Sequence, residues 1–147
     1  MIVYRNIKNN EKTGLLKFLR QVDLLFPIPL SHKQNLEILS DKLLNLGVAI
    51  GAYYDEKLVG VICGYANDAE HGRAYISVLC VLTEFQGKSI AKNLVEEFIK
   101  ECKVANMRKI CLYTHSTNER AIGLYRKIGF SEIESDRDGD IRMYYKM

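Results

Sequence analysis

Residues 74 to 114 constrain the fold most. Ala74 to Leu82 is apolar at nearly every position and Lys109 to Thr114 is a second β-rich run. Between them Ile90, Ala91, Leu94, Val95, Phe98, Ile99 and Cys102 form a wide apolar stripe with charges opposite, the signature of an amphipathic helix. A strand, a helix and a strand in that order make a right-handed crossover, so the two strands run parallel in one sheet. A strand apolar on both sides also needs cover on both faces of that sheet.

The rest of the chain reads as hairpins and helices around this unit. Met1 to Ile7 forms a first strand, and Leu15, Leu16, Leu19 and Val22 mark a helix ending near Leu25, because Pro27 and Pro29 forbid continuation. Phe26 to His32 is an apolar loop. Ser31 precedes a second helix through Leu36, Leu39, Leu43 and Leu46, with Gly47 placed as a left-handed C-terminal residue. Val48 to Tyr54 and Leu58 to Tyr65 form a hairpin around Asp55, Glu56 and Lys57, and Asn67 to Arg73 is a polar loop. Residues 118 to 128 form a last helix, and Phe130 to Glu134 pairs with Ile141 to Lys146 around Asp138-Gly139. The sum is an α/β (α+β) fold: a mixed, mostly antiparallel sheet of about seven strands flanked by about four helices, in one domain over residues 1–147.

A net charge of +3, from 21 Lys and Arg against 18 Asp and Glu without a basic tail or stripe, argues against nucleic acid or an anionic membrane as partner. No apolar run has the length a bilayer or a signal peptide requires. Cys63, Cys80, Cys102 and Cys111 contain no CxxC pair and are joined by only three His, so no metal site is expected. They read as free core thiols in a reducing, cytoplasmic compartment.

Two segments carry chemistry. Val78 to Ala91 runs from the buried strand through a short loop, Gln86-Gly87-Lys88-Ser89, into a helix. The first amides of a helix lack internal partners and sit in a positive dipole field, so they can bind phosphate oxygens while Gly87 lets the backbone approach and Lys88 adds charge. An ordinary strand-to-helix turn would look similar. In the second segment Asn118 caps a helix and Gly129 ends it, with Tyr125 between as either a site residue or a packing residue.

Together these segments resemble the GCN5-related N-acetyltransferase (GNAT) superfamily, in which a Gln/Arg-x-x-Gly-x-Gly/Ala loop after the fourth strand binds the pyrophosphate of acetyl-CoA. The Asn-x-x-Ala-x-x-Leu-Tyr-x-x-x-Gly-Phe pattern of residues 118 to 130 is especially close. The resemblance implies pyrophosphate on the amides of Gln86, Gly87, Lys88, Ser89, Ile90 and Ala91. It lays pantetheine along Leu79, Cys80 and Val81 as an added pseudo-strand, with Asn118 bonded to the same arm. Ser89 replaces the family's usual glycine, which implies strain on the order of 1 kcal/mol if that position needs φ > 0.

The implied activity is an acetyl-CoA-dependent N-acetyltransferase acting on a primary amine by direct attack on the thioester, with no metal. A backbone N–H at Leu79 or Cys80 would hold the oxyanion, and Tyr125 would protonate the departing thiolate. The strand positions where many relatives carry a basic glutamate are Tyr75 and Tyr113, so the base would be a water relayed through Tyr75, Ser77 or His115 with Asp68 or Glu70 as sink. His115 reads equally as a loop residue without a role. Acceptor choice would fall to Phe26 to His32, Asn67 to Arg73 and the Asp136 to Asp140 turn. A small-molecule or peptide amine fits, and a homodimer is compatible with the pattern. Two other classes stay open: a non-catalytic acyl-CoA-binding or sensing module on the same fold, and a small interaction protein that binds no coenzyme A.

Overall fold

The computed structural model describes residues 1–147. Its elements are β1 (Ile2–Asn6), α1 (Lys12–Val22), α2 (Leu36–Leu46), β2 (Val48–Tyr54), β3 (Lys57–Asp68), β4 (Arg73–Val81), α3 (Ile90–Val104), β5 (Lys109–His115), α4 (Glu119–Ile128), β6 (Ser131–Ile133) and β7 (Asp140–Lys146). The strands form one seven-stranded sheet in the order β1-β2-β3-β4-β5-β7-β6. Only β4 and β5 pair in parallel, as the crossover demands.

Helices cover both faces of the sheet. Adjacent residues of β3 show this, since a side chain at Gly64 would meet Phe98 of α3, whereas Tyr65 faces Lys42 of α2 across 5.6 Å. The core joins Leu15, Leu19 and Leu43 of α1 and α2, Val61 and Ile62 of β3, and Leu94 and Phe98 of α3, all fully buried. Burying one such side chain contributes roughly 1.5–3 kcal/mol.

Several local expectations shift. The cap of α2 is Asn35, whose Oδ1 accepts from the Ile38 amide at 3.0 Å, while Ser31 is bonded through its amide and hydroxyl to Asp23. Gly47 is extended rather than left-handed, with φ −113°, and it is glycine because a Cβ there would lie 2.5 Å from the Gly64 carbonyl oxygen. Residues Asn67 and Asp68 extend β3 instead of belonging to a loop.

Two irregularities of β4 shape the centre of the molecule. Cys63 pairs with Val78 and Gly64 with Ile76, so Ser77 is an extra residue bulged out of the ladder. The bulge brings the Tyr75 carbonyl so close to β3 that a Cβ at Gly64 would sit 2.0 Å from its oxygen, which leaves room only for glycine. Pairing of β4 with β5 then stops at Ile76 and Leu112, and beyond that point the two strands separate.

Candidate active site

The separation leaves Val78 to Val81 paired with β3 on one edge only. An extended ligand can pair with such an open edge as a further strand would. Leu79, Cys80 and Val81 line a cleft there, closed on the other side by α4 and at one end by the loop into α3. Burial pushes the Cys80 thiol up to about 11, so it is an un-ionised wall of the cleft. The other three cysteines are also free and fully buried or nearly so.

The loop into α3 is built to present amides. Asn93 makes the first bond of the helix, to the Ser89 carbonyl at 3.0 Å, and the amides of Gly87, Lys88, Ser89, Ile90, Ala91 and Lys92 donate to no acceptor in the protein. Gly87 and Ser89 both have positive φ, +78° and +64°, so the unusual serine is held in the left-handed region and makes no capping bond with its side chain. Six free donors in consecutive residues at the positive end of a 15-residue helix form an anion cradle. The predicted set differs in one member, because the Gln86 amide is spent on the Thr83 carbonyl at 3.2 Å. The side chain of Gln86 instead donates to the Val81 carbonyl and accepts from Arg120 of α4. Lys88 sits by the Phe85 ring, and the lysines lining the cleft are Lys92 and Lys127.

Helix α4 supplies the opposite wall. Asn118 caps it, its Oδ1 accepting from the Ala121 amide at 3.4 Å, which leaves the two N–H donors of its amide free to face the cleft. Tyr125 is 5% exposed and packs on Phe130 with ring centroids 5.2 Å apart, and it lines not this cleft but the neighbouring cavity that shares Leu79 with it. Burial raises its phenol well above the ordinary range, so the hydroxyl keeps its proton at any working pH.

A second cavity opens on the other side of the parted strands, and Leu79, Asn118, Ala121 and Phe26 line both. Phe26, Pro27, Ile28 and Leu30 line it, whereas Pro29 of the same loop does not, and Leu30 is also part of the core. Tyr75, Ser77 and His115 also meet there. The predicted acids do not: Asp68 holds His71 and Arg73 at the turn before β4, Asn67 donates to the Leu46 carbonyl, and neither they nor Glu70 reach the cavity. That turn lies at the end of β4 where β4 is still paired with β5, several residues from the parting. His115 ends β5 rather than lying in a loop, but its Nδ1 accepts from the Thr117 amide at 3.2 Å and lies 2.7 Å from Thr117 Oγ1, so the neutral ring has no spare lone pair. Tyr113 donates to Asp136 at 2.6 Å. The carboxylate that does line the cavity is Asp140, placed opposite His115 by the β5–β7 register. Its role depends on that register, and that of Arg120 depends on a contact 34 residues away in the chain, so no local pattern marks either.

A crossover sheet parted beside an amide cradle defines the class of acyl-CoA N-acyltransferase folds. The acetyltransferase (GNAT) family model matches residues 17–130, and the chain belongs to that family, whose members are acyltransferases. N-alpha-acetyltransferase 50 of Danio rerio is 29% identical over 134 residues, covering 89% of this chain and 73% of that protein. N-alpha-acetyltransferase MAK3 of Arabidopsis thaliana is 30% identical over 80 residues, and the match spans 54% of this chain and only 42% of that protein's length. Among solved structures, a GNAT-family acetyltransferase from Staphylococcus aureus Mu50 superposes with a TM-score of 0.83 at 21% identity over 99% of both chains. The PaiA N-acetyltransferase of Thermoplasma acidophilum in complex with coenzyme A gives 0.81 at 22%, over 100% of this chain and 99% of that one. At these identities the structural matches establish the fold.

Proposed function

We propose that the 147 residues work as one N-acetyltransferase domain that moves the acetyl group of acetyl-CoA to a primary amine by direct attack. The observation that carries this is the meeting of two pockets at the parted β4–β5 edge, one beside a cradle of six unpartnered amides and the other lined by hydroxyls and a carboxylate. The amides of Gly87 to Lys92 fit a pyrophosphate, and Leu79 to Val81 offer pairing to the amide-bearing arm, with Asn118 donating from the other wall. The bound thioester supplies the activated acetyl group. An N–H of the free edge at Leu79 or Cys80 stabilises the carbonyl oxygen as it gains charge, and Tyr125 donates its proton to the departing sulfur. The ammonium of the acceptor passes its proton to a water held by the hydroxyls of Tyr75 and Ser77, with Asp140 as the nearby anion. Four free thiols suit a reducing, cytoplasmic setting.

A thermal melt with acetyl-CoA followed by coenzyme A release over an amine panel tests the reading. At 100 times the dissociation constant, acetyl-CoA should stabilise the protein by about 2.7 kcal/mol. A melt unmoved by millimolar acetyl-CoA would exclude the site. Binding without release by any amine would leave a non-catalytic acyl-CoA sensor.

A further inference from the structure

We propose that the acceptor carries a carboxylate beside its reactive amine and that Arg137, with Lys33 in the lining of the same cavity, selects for that charge. This rests on the transferase reading above and names the acceptor class it leaves open. Both side chains line the acceptor cavity, Lys33 from the loop before α2 and Arg137 from the β6–β7 turn, and neither forms an ion pair within the protein.

The reason Arg137 is unpaired lies in Tyr113. The Arg137 guanidinium carbon sits over the Tyr113 ring, 3.7 Å from its centroid, while the ring's hydroxyl donates to Asp136 at 2.6 Å. The neighbouring carboxylate is thereby drawn to the hydroxyl end of the ring, and the guanidinium is held by its face. A guanidinium held so keeps its edge donors for a ligand, and that fork matches the two oxygens of a carboxylate. Arg142 lies nearby, 5.8 Å from the same centroid, and its buried Nε has no partner. The cavity lining thus holds two unpaired cations against one carboxylate, Asp140. Asp140 suits the ammonium and the two cations suit an anion, so the cavity complements a molecule carrying both. A polycationic amine would meet like charge at both Lys33 and Arg137, a mismatch that excludes partners more strongly than it weakens good ones.

Matched acceptors test this on the full chain loaded with coenzyme A. Calorimetric binding is measured for glutamate against glutaminamide, which has no carboxylate, and for a Met-Glu-initiated peptide against its Met-Gln counterpart, with spermidine as the polycation, and kcat/KM is measured for each with acetyl-CoA. Whichever source is natural, free amino acid or peptide, its acidic member should be preferred by about tenfold, and the preference should weaken as salt rises. In Arg137→Gln the acidic-to-neutral ratio should fall toward one, with Arg137→Lys intermediate and Lys33→Gln in the same direction. Equal binding of acidic and neutral partners, or a preference for spermidine, overturns the proposal even if acetyl transfer proceeds. If no amine is acetylated the transferase reading fails, and the Arg137-dependent binding preference still decides this one.

Discussion

Arg120 Nη1 donates to Gln86 Oε1 at 2.5 Å, tying the first turn of α4 to the loop that opens α3. Gln86 Nε2 donates in turn to the Val81 carbonyl at 3.2 Å, so the end of β4, the loop and α4 are joined around the cleft. An exposed pair of this kind contributes little to stability, on the order of 0.5 kcal/mol. Its position matters more, because Arg120 lines the cleft, where on the proposed reading it would exchange Gln86 for a phosphate oxygen. Arg120→Ala should therefore weaken acetyl-CoA binding by about tenfold, with a reduced salt dependence and a melt within a degree or two of the parent. Calorimetric titration at two salt concentrations checks this, and an unchanged dissociation constant would confine Arg120 to bracing the loop.

Tyr125→Phe separates catalysis from packing. The phenylalanine ring keeps the contact with Phe130, so the melt and acetyl-CoA affinity should hold. Turnover should fall by about 10²-fold, the low end for a general acid, because a thiolate is a good leaving group. Since burial raises the phenol, the parent enzyme should show no loss of rate from Tyr125 ionisation as pH rises toward 10. Wild-type turnover with chemistry rate-limiting would reduce Tyr125 to a wall of the pocket.

The two left-handed residues of the cradle should respond in opposite directions. Gly87 has φ +78° and open space where a Cβ would be, so Gly87→Ala meets no clash but should lose about 1 kcal/mol through backbone strain alone. Ser89 already bears that strain without making a cap bond, so Ser89→Gly should gain roughly 0.5 kcal/mol, net of added unfolded-state entropy. Unliganded denaturant melts report both. Destabilisation by Ser89→Gly would show that its hydroxyl has a partner in solution.

Cys80 offers a chemical probe of the cleft. With its thiol pushed up to about 11 by burial, only about one molecule in a thousand is thiolate at pH 8, so iodoacetamide should react slowly and about tenfold faster per pH unit above that. Acetyl-CoA should protect Cys80 from labelling. Mass spectrometry of the labelled peptide reads this directly, and labelling indifferent to acetyl-CoA would take pantetheine away from this stretch of β4.

Glu11 gives the pH dependence of the fold. Arg5 binds both of its carboxylate oxygens at 2.9 Å and the Lys8 amide donates to it, lowering its pKa to about 2 from an ordinary 4.5. A depressed carboxyl contributes stability that is complete above its unfolded pKa and vanishes as pH falls through the folded one, here between about 4.5 and 2. The pair is partly exposed, so roughly 1 kcal/mol is at stake. Glu11→Gln should lower the melt at pH 7 and flatten its decline between pH 4.5 and 2. A parallel shift at all pH values would contradict the assignment.

Local chemistry made much of this protein legible in one dimension. The apolar runs and the helical stripe of residues 74 to 114 dictate a parallel pair, because no short turn can join parallel strands. The Gly87 loop and the Asn118 to Phe130 helix announce themselves for the same reason, since caps, turn glycines and free helix amides act within a few residues. Contacts between distant segments left no such mark. Only the bulge at Ser77, with Gly64 beneath it, decides that β4 and β5 part and open two pockets onto each other. Only the β5–β7 register brings Asp140 into the cavity in place of Asp68 and Glu70. Only the packing of the β6–β7 turn over Tyr113 leaves Arg137 without a carboxylate of its own. Such choices follow from strand register and the meeting of side chains far apart in the chain, which a local pattern does not encode.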